Sequence, residues 1–215
     1  MTRHHVIPYN RLVQFWNTLL VNRQLGRGPG LANGLLNGMI ATLNNYQFGP
    51  SRNNNILPDD RRNIIILLEG MRDGTIRHDE GVVRPDEIDN LAAVYQWLPG
   101  NLFIGPQNRS DDPGAAFETG AVVVVGGGNF SMYRRANDAI QTYLGAPGSV
   151  DGQNEARQAA DNLSDIATIE SVFPLNPNNR VKNPNGSYRL ASIAQSERVA
   201  QLERAARAAM EPAAG

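Results

Sequence analysis

Apolar residues recur at helical spacing near the start of the chain. The pattern predicts a helix that Asn10 caps and that a glycine-rich segment at 26–30 ends. Its apolar face is formed by Leu12, Val13, Phe15, Trp16, Leu19 and Leu20. Phe15 and Trp16 are therefore expected in the hydrophobic core.

The same spacing predicts six more helices, separated by segments rich in glycine, proline and asparagine. They run over 31–46, from Asp59 or Asp60 to Gly74, from Pro85 to about Trp97, from about Ser131 to Leu144, over 155–172 and over 192–210. In the first of these six, Gly34 and Gly38 are four residues apart and favour close packing against another helix. Segments 48–57 and 174–186 are predicted to be irregular.

Two segments have the pattern of β-strands. One is the short run from Asn101 to Pro106, and the other is 121–125, which contains four consecutive valines and is the strongest strand signal in the chain. Together the elements predict an α+β fold that is predominantly helical, with a small β-sheet or hairpin. The domain organisation expected is a catalytic domain over 1–145 with a helical carboxyl-terminal extension over 146–215 packing on it, or one single domain over 1–215.

Composition narrows the chemistry available to the chain. The 215 residues, 41% of them hydrophobic, are enough to bury a core. With no cysteine, a metal ion must be held by His, Asp, Glu or Asn, which favours Mg, Mn or Zn. The net charge of −1 argues against a broad electrostatic surface for nucleic acid. No apolar run approaches the roughly 20 residues of a membrane span, and the amino terminus lacks the layout of a signal peptide.

A pair of adjacent histidines is the strongest chemical feature of the sequence. His4 and His5 are two of only three histidines, and they precede Val-Ile-Pro8. Histidine changes charge near neutral pH and is the commonest metal ligand. On a strand, neighbouring side chains point to opposite faces, so at most one of the pair is expected to face a given pocket.

Three further features have both a structural and a chemical interpretation. The acidic run that begins at Asp111 is explained by a tight turn, which is compatible with metal or substrate contact. The glycines at 126–128 precede a helix and either form a simple turn or hold a phosphate at its amino terminus. His78 is expected to be a solvated loop residue.

The histidine pair with its apolar-apolar-proline sequel resembles the opening of HNH/endonuclease VII-type nuclease domains. Many of these domains are toxin modules at the carboxyl ends of bacterial secreted polymorphic toxins. The Asn101-Leu102 step after the Pro99-Gly100 turn is similar to the segment that supplies the asparagine of this family. The resemblance covers a small part of the chain, and the four helices predicted between His5 and Asn101 would be an insertion.

The resemblance implies a role for each of eight residues. His5 would be the general base, Asn101 the amide that orients it, and His4 a metal ligand or a partner that fixes the base. The remaining metal ligands would come from Asp111, Asp112 or Glu118, and phosphate would be held by Arg3 and Arg109. The metal would be Mg, Mn or Zn.

The function expected is that of a bacterial toxin or effector domain acting as a metal-dependent nuclease on phosphodiester bonds. Its partners would be a nucleic acid substrate and a cognate immunity protein. It would be delivered from the producer into the target-cell cytoplasm as part of a larger secreted protein, or be cytoplasmic. Two alternatives stay open: an effector enzyme with another cellular target, and a non-enzymatic helical module that binds a protein. The clustered histidines favour the enzymes, whereas the near-neutral charge favours the binding module.

Overall fold

In the computed structural model, the described residues are 1–25, 30–45, 58–75, 85–169, 171–198 and 201–202. Within them the chain forms seven α-helices, which are α1 Tyr9–Val21, α2 Asn33–Asn45, α3 Pro58–Asp73, α4 Pro85–Gln96, α5 Val122–Val125, α6 Gly127–Gly145 and α7 Val150–Ala167. Residues 193–198 are also helical. Four strands, β1 Thr2–His5, β2 Leu102–Gly105, β3 Arg180–Lys182 and β4 Tyr188–Leu190, pair into two small antiparallel sheets. The predicted α+β fold with a predominance of helix is confirmed.

The amino-terminal helix lies where the apolar spacing predicts it. Leu12, Phe15, Trp16 and Leu19 are buried, which confirms the predicted core face. The cap is one difference, because Pro8 occupies that position and its carbonyl oxygen accepts from the amides of Arg11 and Leu12. Asn10 therefore lies in the first turn of α1 and does not cap it.

Helix α7 packs against both α2 and α6 and contributes to the main hydrophobic core. Its inward face is formed by small residues and by Leu163 and Ile166. The close helix contact predicted from Gly34 and Gly38 is present, since a β-carbon at Gly38 would lie 2.8 Å from the Cα of Ser164 in α7. A helix of the 146–215 segment thus shares one core with helices of the 1–145 segment.

The run of valines forms a helix, and the strand predicted at 121–125 is wrong. A 3-10 turn over Thr119–Ala121 leads directly into α5, and Gly126 ends it with a φ of 81°. No strand in the described ranges pairs with these valines. Their preference for strands is overridden because they pack against the core as one helical turn.

Strands β3 and β4 form a hairpin, of which β3 lies within the segment 174–186 that was predicted to be irregular and β4 begins just after it. Its strands pair Arg180 with Leu190 and Lys182 with Tyr188. The segment before the acidic turn runs beside β4, because the amide of Ser110 donates to the carbonyl oxygen of Tyr188 at 2.8 Å. This hairpin supports the loop that carries the acidic residues of the site.

Some predictions fall outside the described residues. These are the break at 26–29, the loop at 48–57, His78 and most of the last helix beyond residue 198. Among the helices that are described, none combines the length and the apolar character needed to cross a membrane.

Candidate functional site

The antiparallel pair of β1 and β2 brings the two histidines to the segment around Asn101. The register places His4 opposite Phe103 and His5 opposite Leu102. Both histidines line a cavity of about 160 Å³, together with Arg3, Pro8, Tyr9, Arg109, Asp112, Pro113, Gly114 and Glu118. Although both residues contribute to the cavity lining, their rings contact different residues: the ring of His4 lies against Phe103 and that of His5 against Trp97.

Asn101 fixes the chain directly after the histidine pair. Its side chain is fully buried, accepts from the amide of Ile7 at 2.8 Å and donates to the carbonyl oxygen of Ile7 at 3.0 Å. Its backbone carbonyl also accepts from the amide of Val6 at 2.9 Å. Asn101 thus holds the loop that follows His5, and none of these three bonds involves the imidazole.

His5 is held as a neutral imidazole with a defined tautomer. Its Nε2 lies 3.1 Å from the carbonyl oxygen of Gln96, and because a carbonyl only accepts, Nε2 carries the hydrogen. In the neutral ring the lone pair is then on Nδ1, to which no described residue donates a hydrogen bond. Burial lowers the pKa of His5, and the bond to Gln96 offsets this only in part. The ring is therefore uncharged at neutral pH, and its Nδ1 is the nitrogen that can accept a proton.

His4 is more deeply buried and faces a carboxylate. Its ring stacks on Phe103 at 5.2 Å, and its Nε2 lies 3.1 Å from the carbonyl oxygen of Pro106. Burial lowers the pKa of His4, Pro106 opposes the shift, and the positive charge of Arg109 adds to it. The neutral ring then presents the lone pair of Nδ1 to Oδ2 of Asp112 at 3.3 Å. Two facing acceptors are stabilised by a shared proton or a cation.

The absence of a β-carbon at Gly105 leaves room for the ring of His4. A β-carbon at residue 105 would lie 2.8 Å from Cδ2 of His4 and 3.1 Å from a guanidinium nitrogen of Arg180. Any larger residue would push one of these side chains away from Phe103, above which Arg180 is also positioned.

Arg109 is an internal ion-pair partner. Its side chain is 1% exposed, with Nε 3.1 Å from Asp111 and Nη1 2.7 Å from Glu118. Burial lowers the pKa of Arg109, but the contacts with both carboxylates outweigh it and raise the pKa overall. The second oxygen of Asp111 accepts from the amide of Leu190 at 2.7 Å. Burial raises the pKa of Asp111, but the opposing effects of Arg109 and of this amide are larger together, so the net shift is downward.

The four predicted metal ligands separate into two groups. His4 and Asp112 face each other, whereas Asp111 and Glu118 are bound by Arg109. Across the described ranges, no group of three or more His, Asp or Glu residues could hold a metal ion. The four-residue metal shell is thus not assembled.

The two arginines predicted to bind phosphate, Arg3 and Arg109, both line the cavity. The charge of Arg109 is neutralised by the carboxylates of Asp111 and the buried Glu118, so Arg109 stabilises the acidic loop. Arg3 stays the candidate for a phosphate contact.

The acidic run forms the tight turn expected from its sequence. Oδ1 of Asp112 accepts from the amide of Gly114 at 2.9 Å, and Gly114 has a φ of 60°. The turn presents Asp112, whose side chain is 47% exposed, to the cavity. The glycines at 126–128 are exposed, begin α6 and do not line this cavity.

Two aromatic residues that contact His5 were not predicted to belong to the site. The centroid of the His5 ring lies 5.9 Å from that of Tyr9 and 5.0 Å from that of Trp97. Neither residue belongs to a recognisable motif. Their position beside Pro8 and the Leu98-Pro99-Gly100 turn was the available signal.

Comparisons with known proteins provide one distant relative. The chain is 29% identical over 156 residues to "Putative protein p9" of Acyrthosiphon pisum secondary endosymbiont phage 1. The match covers 69% of this chain and 41% of that protein, so the chain spans less than half the length of the relative. No family model matches the chain. No solved structure matches it either.

Proposed function

We propose that this chain is a nuclease domain that hydrolyses phosphodiester bonds, with His5 as the general base. The observation that carries the proposal is the state of His5. It is a neutral imidazole anchored through Nε2, with a lone pair on Nδ1, in a cavity that also presents Arg3 and Asp112.

The reaction uses the lone pair of His5 to activate water. Nδ1 of His5 accepts a proton from a water molecule as its oxygen forms a bond to phosphorus. The bond from phosphorus to the leaving oxygen breaks, and that oxygen takes a proton from solvent. His5 then releases its proton to solvent. Arg3 supplies positive charge beside the phosphate, and Asn101 keeps the loop behind His5 in place.

A divalent cation is proposed as the cofactor, held by His4 and Asp112. The facing acceptors at 3.3 Å fit a cation, which would neutralise charge on the scissile phosphate. Mg is commonly bound through one or two carboxylates together with substrate phosphates. Catalytic Zn sites use three protein ligands, which the described residues do not bring together. Mg or Mn is therefore favoured over Zn.

The biological setting that we propose is a bacterial toxin or effector domain, delivered into the cytoplasm of a target cell and neutralised by an immunity protein. The resemblance of the histidine motif to nuclease toxin modules supports it. Growth arrest with intact nucleic acid would favour an effector enzyme with another cellular target. Normal growth on expression would favour a protein-binding module.

The direct test is cleavage by the purified chain. Single-stranded DNA, plasmid and RNA are incubated with Mg, Mn, Zn or a chelator, and the wild type is compared with His5→Ala and with His78→Ala as the matched histidine control. We expect His5→Ala to lose at least about a hundredfold in rate, the lower end of general-base contributions. The melting temperatures of the folded variants are measured beside the rates.

The pH dependence of the wild-type cleavage rate is a second test, which does not need a folded His5→Ala variant. Because burial lowers the pKa of His5, the wild-type rate should persist below pH 6.5, the ordinary value for histidine. Full activity in a folded His5→Ala variant would overturn the proposal. Absence of cleavage by the wild type under all conditions would do the same.

A further inference from the structure

Two exposed aromatic side chains flank the proposed general base. Tyr9 is 44% exposed and Trp97 is 40% exposed, and their ring centroids lie 6.3 Å apart. Tryptophan is usually highly buried, and the other tryptophan of this chain, Trp16, is only 4% exposed. Exposure of two large aromatic rings beside a polar cavity points to ligand contact.

Both rings are held by rigid elements next to His5. Tyr9 is the first residue of α1, and Trp97 directly follows α4, whose last residue, Gln96, anchors His5. The planes of Tyr9 and Trp97 are tilted by 49°, and His5 meets them at 66° and 54°. None of these contacts is a parallel stack, so they leave aromatic surface available to a planar ligand.

The charges around the cavity favour recognition of bases over recognition of a duplex backbone. Duplex binding depends on many contacts between cationic side chains and phosphates. Here the net charge is −1, and Arg109 is neutralised by Asp111 and Glu118. Single strands are bound in part through stacking of their bases on aromatic rings, for which the base must be unpaired and accessible.

We infer that Tyr9 and Trp97 form a stacking platform for an unpaired base and that the substrate is single-stranded nucleic acid. This inference rests on the proposed nuclease function. A base stacked on the platform would place its neighbouring phosphate near His5 and Arg3. Paired bases in a duplex would not reach the rings.

The platform is tested by comparing the binding of two single strands that differ only in whether their bases are present. A fluorescein-labelled single-stranded oligonucleotide and a strand of the same length and charge with abasic sites are titrated with the full chain in chelator, and anisotropy is measured. We expect the abasic strand and the corresponding duplex to bind about tenfold more weakly, since stacking of one base contributes about 1–3 kcal/mol. Trp97→Leu should weaken binding of the normal strand about tenfold and leave the abasic strand unchanged.

Two controls identify the residue involved. Val21→Ala removes apolar surface from an 82% exposed residue and should leave both affinities unchanged. Intrinsic fluorescence should be quenched by the normal strand, because Trp97 is the accessible one of the two tryptophans.

The outcomes separate the platform from the nuclease. Equal affinity for the normal and abasic strands, or unchanged affinity in Trp97→Leu, would overturn the platform even if His5-dependent cleavage is observed. Tighter binding of the normal strand than of the abasic strand, with this difference lost in Trp97→Leu, would support the platform. If no cleavage accompanied it once Mg or Mn is added, the nuclease proposal would fail instead.

Discussion

Replacing Asn101 by alanine tests how the chain after the histidine pair is held. The substitution removes two hydrogen bonds, one to the amide and one to the carbonyl oxygen of Ile7. Ile7 is fully buried, so both of its polar groups would be left without a partner and away from water. Each unsatisfied buried group costs about 1–3 kcal/mol. The free energy of unfolding should therefore fall by about 2–6 kcal/mol, a large fraction of the roughly 5–15 kcal/mol of a typical domain.

Urea denaturation followed by circular dichroism measures this loss. Asn101→Asp should be similarly destabilising, because it keeps the acceptor for the amide of Ile7 but faces the carbonyl of Ile7 with a second acceptor. Asn162→Ala is the matched control. Asn162 is also buried, but its side chain donates only to the carbonyl of Gln158 within its own helix, and the expected cost is about 1 kcal/mol or less.

A loss below about 1 kcal/mol in Asn101→Ala, or a loss equal to that of Asn162→Ala, would refute the reasoning. It would mean that the polar groups of Ile7 find other partners when the amide is removed. In that case Asn101 would not be needed to position the loop behind His5.

Three further predictions concern the pH dependence of stability, helix packing and the buried ion pair. Burial lowers the pKa of both amino-terminal histidines below 6.5, so the unfolded chain binds protons first as the pH falls. The free energy of unfolding should be highest above about pH 6.5 and decrease below it by up to about 1.4 kcal/mol per pH unit for each histidine. Urea titrations at several pH values measure this slope, and a His5→Gln variant with the same slope as the wild type would contradict the prediction. Gly38→Ala should lose about 1–3 kcal/mol, because its β-carbon meets the backbone of α7. In Gly34→Ala the new β-carbon mainly meets the end of an aspartate side chain, so the free energy of unfolding should change by no more than about 1 kcal/mol. Equal changes in melting temperature in the two variants would argue against a close α2–α7 contact at Gly38. Arg109→Met should cost about 3–5 kcal/mol by leaving Glu118 buried without a cation, and a double-mutant cycle with Glu118→Gln that shows no coupling would contradict the pairing.

The helices around the site were predictable because their apolar spacing is local. The described bounds of α2, α3 and α4 lie within about two residues of the predicted positions. The pair Gly34 and Gly38 correctly predicted a close helix contact. The partner, α7, could not be identified, since the glycines show only that some helix approaches.

Elements that depend on distant partners were predicted poorly. The valines at 122–125 have the composition of a strand, but no strand lies beside them in the described part of the chain. The hairpin of β3 and β4 was missed because its three-residue strands are too short for a clear alternation. Both errors arise because strand pairing is settled between segments and not within one.

The mainly helical fold could be predicted from the amino-acid sequence, as could the choice of the histidine pair, the Asn101 segment and the acidic turn as the candidate site. Local spacing and residue chemistry carry that information. The tertiary structure was needed to establish which charged side chains are paired with each other. It bound Arg109 between Asp111 and Glu118, left Asp112 facing His4, and placed Tyr9 and Trp97 beside His5. Charge pairing and burial depend on contacts between residues far apart in the chain, which no local pattern specifies.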